Sequence, residues 1–167
     1  MSTDILHCDH HTAHLPKGEL VDALLARAKE GGLRRTRALE DVLAILVGAT
    51  RPMTLAEIAA SESLASKADK ATVYRLLQKL EERRILKRLG LHDRSAYYAV
   101  IFPGQHHDYL ICSECGRIEE LCLACPVEAL EKQVADESGF TGIYHELEFF
   151  GVCPPCRQKK AGHADRP

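Results

Sequence analysis

The feature that most constrains this chain is a pair of cysteine pairs. Cys112-x-x-Cys115 sits in "YLICSECG" and Cys153-x-x-Cys156 in "FFGVCPPC", about 40 residues further on. A tight turn after a strand in "CSECG" points both thiols of the first pair the same way, and a second such pair completes a tetrahedral sulfur site. Four thiolates favour Zn2+, and four protein ligands leave no open position, so the expected site is structural. One rival reading is four unrelated cysteines. Another is a redox CxxC, which needs the helix start of a thioredoxin-like βαβ unit that neither pair offers. A disulfide framework fits poorly, because the chain has seven cysteines, an odd number.

No apolar run approaches the length that spans a bilayer, and the opening "MSTDILHCDHHTAH" lacks the basic-then-apolar build of a leader. A cytoplasmic protein with no membrane partner is therefore expected, and a reducing compartment strengthens the metal reading of the cysteines. With 46% of 167 residues apolar, one ordinary domain or two small ones can form a core. The net charge of −2 conceals an asymmetry: residues 1–104 hold 16 Lys+Arg against 13 Asp+Glu, and residues 105–167 hold 6 against 11. A basic N-terminal module can bind nucleic acid whatever the net charge, because local field decides.

Along that module, residues 1–16 read as a flexible His-rich arm. "KGELVDALLARAKEGG" and "TRALEDVLAILVG" follow with helical periodicity, Thr36 capping the second. Thr54 and Glu57 form a capping-box pattern opening "TLAEIAASESLA". Asp69 opens "DKATVYRLLQKLEERR", and "ILKRLGL" and "SAYYAV" read as a hairpin. Three helices and a hairpin after a first helix is the pattern of a winged helix-turn-helix, with the last helix as reader of the major groove. Its outer face offers Lys70, Thr72, Tyr74, Arg75 and Lys79, and the wing side adds Arg83, Arg84, Lys87 and Arg88. These cations can hold phosphates, and Arg75 can pair bidentately with guanine. The plain alternative is a solvated amphipathic helix with ordinary surface charges.

After "FPGQ" the reading is two strands around "SECG", a helix over "PVEALEKQVADESG", and a last strand in "GIYHELEFFGV". A unit this small needs a metal or a partner subunit for stability. His106 and Asp108 alternate along one strand and share a face, whereas His107 points the other way. With Glu128 and His145 they form a mixed N/O donor set suited to Zn2+, Fe2+ or Mn2+; surface or capping roles for the same residues are the alternative. The chain shows no nucleophile motif, so no catalytic residue is assigned.

The blocks "KATVYRLLQKLEERRIL", "HHDYLICSECGRIEEL" and "HELEFFGVCPPC" resemble the signature blocks of the ferric uptake regulator (Fur) family of metal-dependent transcription factors, across roughly residues 31–157. The resemblance implies an α+β chain: an N-terminal winged helix-turn-helix domain over 17–101, a hinge at 102–105, a small α/β metal-binding dimerisation domain over 106–157, and a tail at 158–167. It implies a homodimer on double-stranded DNA with a palindromic AT-rich operator. It places structural zinc on Cys112, Cys115, Cys153 and Cys156, and a regulatory metal on His106, Asp108, Glu128 and His145. "ATVYR" assigns DNA contacts to Tyr74 and Arg75.

This sequence departs from the family in three respects. The further site of many iron- and peroxide-sensing members needs donors where this chain has Pro52, Ala99 and Tyr109, leaving His107 and Glu120. Leu39 stands where the family usually carries an arginine, with Arg35 or Arg37 as substitutes. Cys122 and Cys125 form a third CxxC, and Cys8 clusters with His7, His10, His11 and His14. These are either apolar fillers and a polar tail, or donors of an additional site with His107 and Glu120. The depleted site and extra thiols favour a zinc-responsive repressor of metal-uptake genes, in the zinc-sensing (Zur-like) branch, over an iron- or manganese-responsive one. A metallohydrolase or a zinc-buffering protein are the readings from other classes.

Overall fold

The computed structural model describes residues 16–90, 96–102, 108–121 and 126–164, the last four by backbone alone. His106, His107, Cys122, Cys125, the His-rich arm through residue 15 and hinge residues 103–105 lie outside the described residues. The described residues fall into two compact units, residues 16–102 and residues 108–164. Among the described residues no helix is long and apolar enough to cross a membrane.

The first unit contains α1 (Lys17–Glu30), α2 (Arg37–Gly48), β1 (Met53–Thr54), α3 (Leu55–Ala59), α4 (Glu62–Ala65), α5 (Lys70–Glu82), β2 (Leu86–Leu89) and β3 (Tyr97–Val100). The starts of α2, α3 and α5 follow from side-chain caps. The Thr36 hydroxyl accepts from the Leu39 N–H at 3.2 Å, and the Asp69 carboxylate accepts from the Thr72 N–H at 2.6 Å. Thr54 and Glu57 form the reciprocal capping box. The single helix expected over residues 54–65 is two short ones, α3 and α4. Ser61 adopts an extended conformation there and its hydroxyl donates to the Glu57 carbonyl at 3.2 Å, which restarts the chain.

One apolar core joins these helices: Leu24 and Ala28 of α1, Leu39, Val42 and Leu43 of α2, Ile58, Leu64, then Val73, Leu77 and Leu80 of α5, closed by Leu86, Tyr98 and Val100. The sheet has the order β1-β3-β2, so the expected hairpin gains a third, two-residue strand. Met53 pairs with Tyr98 and Thr54 with Tyr97, placing the start of α3 beside the wing. Arg27 of α1 donates to the Ile101 carbonyl at 2.8 Å and the Arg84 carbonyl at 3.0 Å, tying the first helix to the end of the wing.

The second unit contains β4 (Asp108–Cys112), β5 (Ile118–Leu121), α6 (Glu128–Ser138), β6 (Glu148–Gly151) and α7 (Pro154–Ala164). Its sheet runs β5-β4-β6, with β4 antiparallel to β5 and parallel to β6. The tail expected from residue 158 is helical through Ala164, because Pro154 supplies a preset φ at the first turn of α7. Among the described residues its buried apolar set is small: Tyr109, Ile111, Cys112 and Ile118. No residue of α6 is buried in the single chain.

Candidate metal centre and nucleic-acid interface

The sheet register builds the sulfur site. Cys112 pairs with Gly151 across the parallel β4·β6 contact, and the Ser113 N–H donates to the Gly151 carbonyl at 2.8 Å, so Cys153 arrives beside the end of β4. Gly116 closes the first turn at φ 74°, a conformation only glycine adopts at no steric cost, while its N–H bonds to the Cys112 carbonyl at 2.9 Å. Cys156 enters on the first turn of α7.

The sulfurs of Cys112, Cys115, Cys153 and Cys156 lie within 4.8 Å of one another, and Cys115 Sγ is 3.7 Å from Cys153 Sγ. The Cys153 N–H donates to Cys112 Sγ at 3.3 Å. That bond, with further donation from the Cys115 backbone, holds the Cys112 thiol down at about 6. Cys156 is pushed up to about 12, first by its hydrogen bond with Cys153 and then by burial. Four sulfurs this close, brought together from two CxxC turns, fit a closed tetrahedral thiolate site.

The N/O set is partly visible. Asp108 is 6% exposed, and its Oδ1 is buried with no hydrogen-bond partner among the described residues. Such an oxygen is costly unless a hydrogen-bond donor, a water or a cation meets it. The Tyr109 N–H donates to the Leu147 carbonyl at 3.2 Å, joining the start of β4 to the segment that carries His145. His145 is half-buried, and its Nδ1 lies 2.9 Å from Glu131 Oε1. Glu128, the expected carboxylate of α6, is exposed at the first position of that helix. Among the described residues, Asp108, Glu128 and His145 do not form a group as close as the cysteines.

Sequence reasoning passed over Glu131. Its signal was its place three residues after Glu128, the neighbouring position on a helix face. Tyr109 is buried at 3% exposure, and burial followed by the charge of Glu120 holds its phenol well above the usual range. It therefore offers no accessible phenolate at a position where many family members carry histidine. Glu120 stands opposite Tyr109 across β4·β5.

On the first unit, α5 buries Val73, Leu77 and Leu80 and presents the opposite side outward. Arg75 and Lys79 are exposed there, Thr72 is half-buried and Tyr74 is 44% exposed. A groove of about 520 Å³ runs between α5, the start of α3 and the wing, lined by Lys70, Tyr74, Gln78, Arg88 and Tyr98 among others. Arg83, counted on the wing side from sequence, is committed elsewhere: it donates to the Gly31 carbonyl at 2.6 Å and the Lys79 carbonyl at 2.9 Å. Arg35 is paired with Glu40. Leu39 is a core residue at 1% exposure.

A winged helix followed by a small α/β unit with a four-cysteine cluster defines a two-domain, metal-binding winged-helix protein. The sequence pattern described as "Ferric uptake regulator family" matches residues 30–150, and the chain belongs to that family. It is 32% identical over 131 residues to the ferric uptake regulation protein of Legionella pneumophila, a match covering 77% of this chain and 95% of the relative. It is 36% identical over 89 residues to that of Neisseria gonorrhoeae, where the match covers 53% of this chain and 60% of the relative. Among solved structures, it resembles the Helicobacter pylori ferric uptake regulator, described as having three functional metal binding sites. That match has a TM-score of 0.65 and 25% identity, and covers 86% of this chain and 95% of the other. It also resembles a zinc-bound manganese uptake regulator, with a TM-score of 0.53 and 31% identity, covering 78% and 98% of the two chains.

Proposed function

We propose that this chain is a metal-responsive transcriptional repressor, acting as a homodimer on double-stranded DNA with a palindromic AT-rich operator in the cytoplasm. The observation that carries the reading is the outward face of α5. A firmly capped helix, packed by three core residues, presents Lys70, Tyr74, Arg75 and Lys79 on one side of a winged helix. In this role Lys70 and Lys79 neutralise phosphates, Thr72 holds the backbone, Arg75 reads a base edge and Tyr74 packs on a thymine methyl. Arg35 contributes a phosphate contact after exchanging Glu40 for DNA.

Zn2+ held by Cys112, Cys115, Cys153 and Cys156 supplies the cross-link that the small apolar core of the second unit lacks. His106, Asp108, Glu128 and His145 hold the regulatory cation, whose charge meets the buried Asp108 oxygen. The partner is a second copy. Leu130, Val134, Phe149, Phe150 and Val152 are large apolar side chains exposed in the single chain on α6, β6 and the segment after it, apolar area of the kind a second copy would cover. Coupling is then linkage: a cation bound better by the DNA-competent dimer raises operator affinity by the same factor.

Zinc is our reading of the regulatory metal, with metal-uptake genes as targets. Tyr109, Pro52 and Ala99 remove donors from the site of iron- and peroxide-sensing members, while the N/O set itself admits zinc, iron and manganese. The relatives are named for iron, and iron or manganese control is the second reading. Metal content per chain, with operator binding, decides. Two zincs, one of them lost to EDTA together with DNA binding, is the expected result. One retained zinc, and DNA binding restored by Fe2+ or Mn2+ alone, gives the second reading. DNA binding indifferent to every metal, or an Arg75→Ala variant with unchanged affinity, overturns the proposal.

A further inference from the structure

α6 carries two carboxylates in its first turn, Glu128 at the first helical position and Glu131 three residues on. Glu128 is exposed. Glu131 is half-buried, with its Oε1 2.9 Å from His145 Nδ1, a buried nitrogen; the distance is that of an ion pair, and the present ring orientation does not make it a hydrogen bond. An imidazole that ligates a cation through one nitrogen needs its other nitrogen fixed, most often by a carboxylate or a carbonyl, or the ring rotates and the wrong tautomer prevails. The second observation is the buried Asp108 Oδ1, without a hydrogen-bond partner among the described residues, at the start of β4, which the Tyr109 N–H joins to the segment carrying His145. We infer that Glu131 is a positioning residue of the regulatory site: it holds His145 Nδ1–H and presents Nε2 to the metal. The inference rests on His145 being a ligand, and it concerns Glu131 alone.

The consequence is chemical as well as geometric. Free histidine prefers the proton on Nε2, the nitrogen the metal needs; pairing Nδ1 with a carboxylate reverses that preference before the cation arrives. Glu131→Ala removes the acceptor. Glu131→Gln keeps an acceptor oxygen and loses the charge.

The test uses full-length protein that retains its cysteine-bound zinc, titrated with Zn2+ against a chromogenic chelator. Long-range 1H–15N spectra of the histidines accompany it, recorded with the second site empty. Glu131→Ala is expected to weaken the second zinc equivalent about 10- to 100-fold and to move the His145 proton to Nε2. Glu131→Gln should weaken binding less and keep the Nδ1–H tautomer. His145→Ala should abolish the second equivalent. Wild-type affinity and tautomer in Glu131→Ala, with loss in His145→Ala, overturn the role of Glu131 and leave the site standing. Equal losses in both Glu131 variants with an unchanged tautomer make Glu131 itself a ligand and overturn the positioning role. Wild-type binding by His145→Ala overturns both the site and this inference.

Discussion

Replacing Asp108 by Asn should raise stability without metal and lower it with metal, a crossing that an ordinary core mutation does not produce. Asp108 is 6% exposed and its Oδ1 has no hydrogen-bond partner among the described residues. Leaving a buried polar atom unsatisfied costs about 1–3 kcal/mol, more when it is charged. Asn keeps the shape and removes the charge, so the variant with its second site empty should gain about 1 kcal/mol. For a domain of roughly 60–100 residues that is about 4–8 °C in melting temperature.

With regulatory metal at about 100 times its Kd, the wild type gains about 2.7 kcal/mol. A variant that binds about a hundredfold more weakly gains only about 0.4 kcal/mol at the same concentration. Calorimetric melting of both proteins, each retaining its cysteine-bound zinc, measures both halves of the crossing. A variant that melts lower without metal, and still gains as much as the wild type from metal, would refute the assignment of Asp108.

Cys115→Ser should release the cysteine-bound zinc and unfold the second unit, because structural zinc contributes on the order of 10 kcal/mol in small domains. Zinc per chain and amide exchange over β4 to β6 report this, with the first unit still protected. Phe150→Asp, placing a charge on a side chain 53% exposed in the single chain, should yield monomers in sedimentation. Glu57 is held down from its ordinary 4.5 to about 2, first by its hydrogen bond from Arg51 at 2.5 Å and then by the Thr54 N–H. A depressed carboxylate stabilises above its unfolded value and loses that contribution as pH falls from about 4.5 through 2. Since the side chain is 36% exposed, solvent screening reduces it to about 1 kcal/mol. Glu57→Gln should therefore cost about 1 kcal/mol at neutral pH and nothing near pH 2, by urea titration.

The winged helix was legible because α2, α3 and α5 carry their own start signals and the longer helices each carry one apolar stripe. Thr36, Thr54 and Asp69 cap as their residue types require, and Val73, Leu77 and Leu80 recur at helical spacing. The two-residue strand Met53–Thr54 was not legible, since two residues have no period and the strand exists only by pairing with Tyr97 and Tyr98. The break between α3 and α4 turns on one hydroxyl, Ser61, whose choice of the Glu57 carbonyl is a local competition that composition does not reveal.

The four cysteines were determined by spacing alone, because a CxxC turn fixes the direction of its two sulfurs within a few residues and metal chemistry needs little else. What only the tertiary structure decided is which other groups meet. The parallel β4·β6 register puts Cys153 beside Cys112, and the fold of the second unit brings Glu131 Oε1 to 2.9 Å from His145 Nδ1 while Glu128 stays exposed. It also spends Arg83 on the Gly31 carbonyl and Leu39 on the core. Local signals act over one turn of chain, whereas these contacts join segments that come together only when burial and backbone pairing have fixed the register.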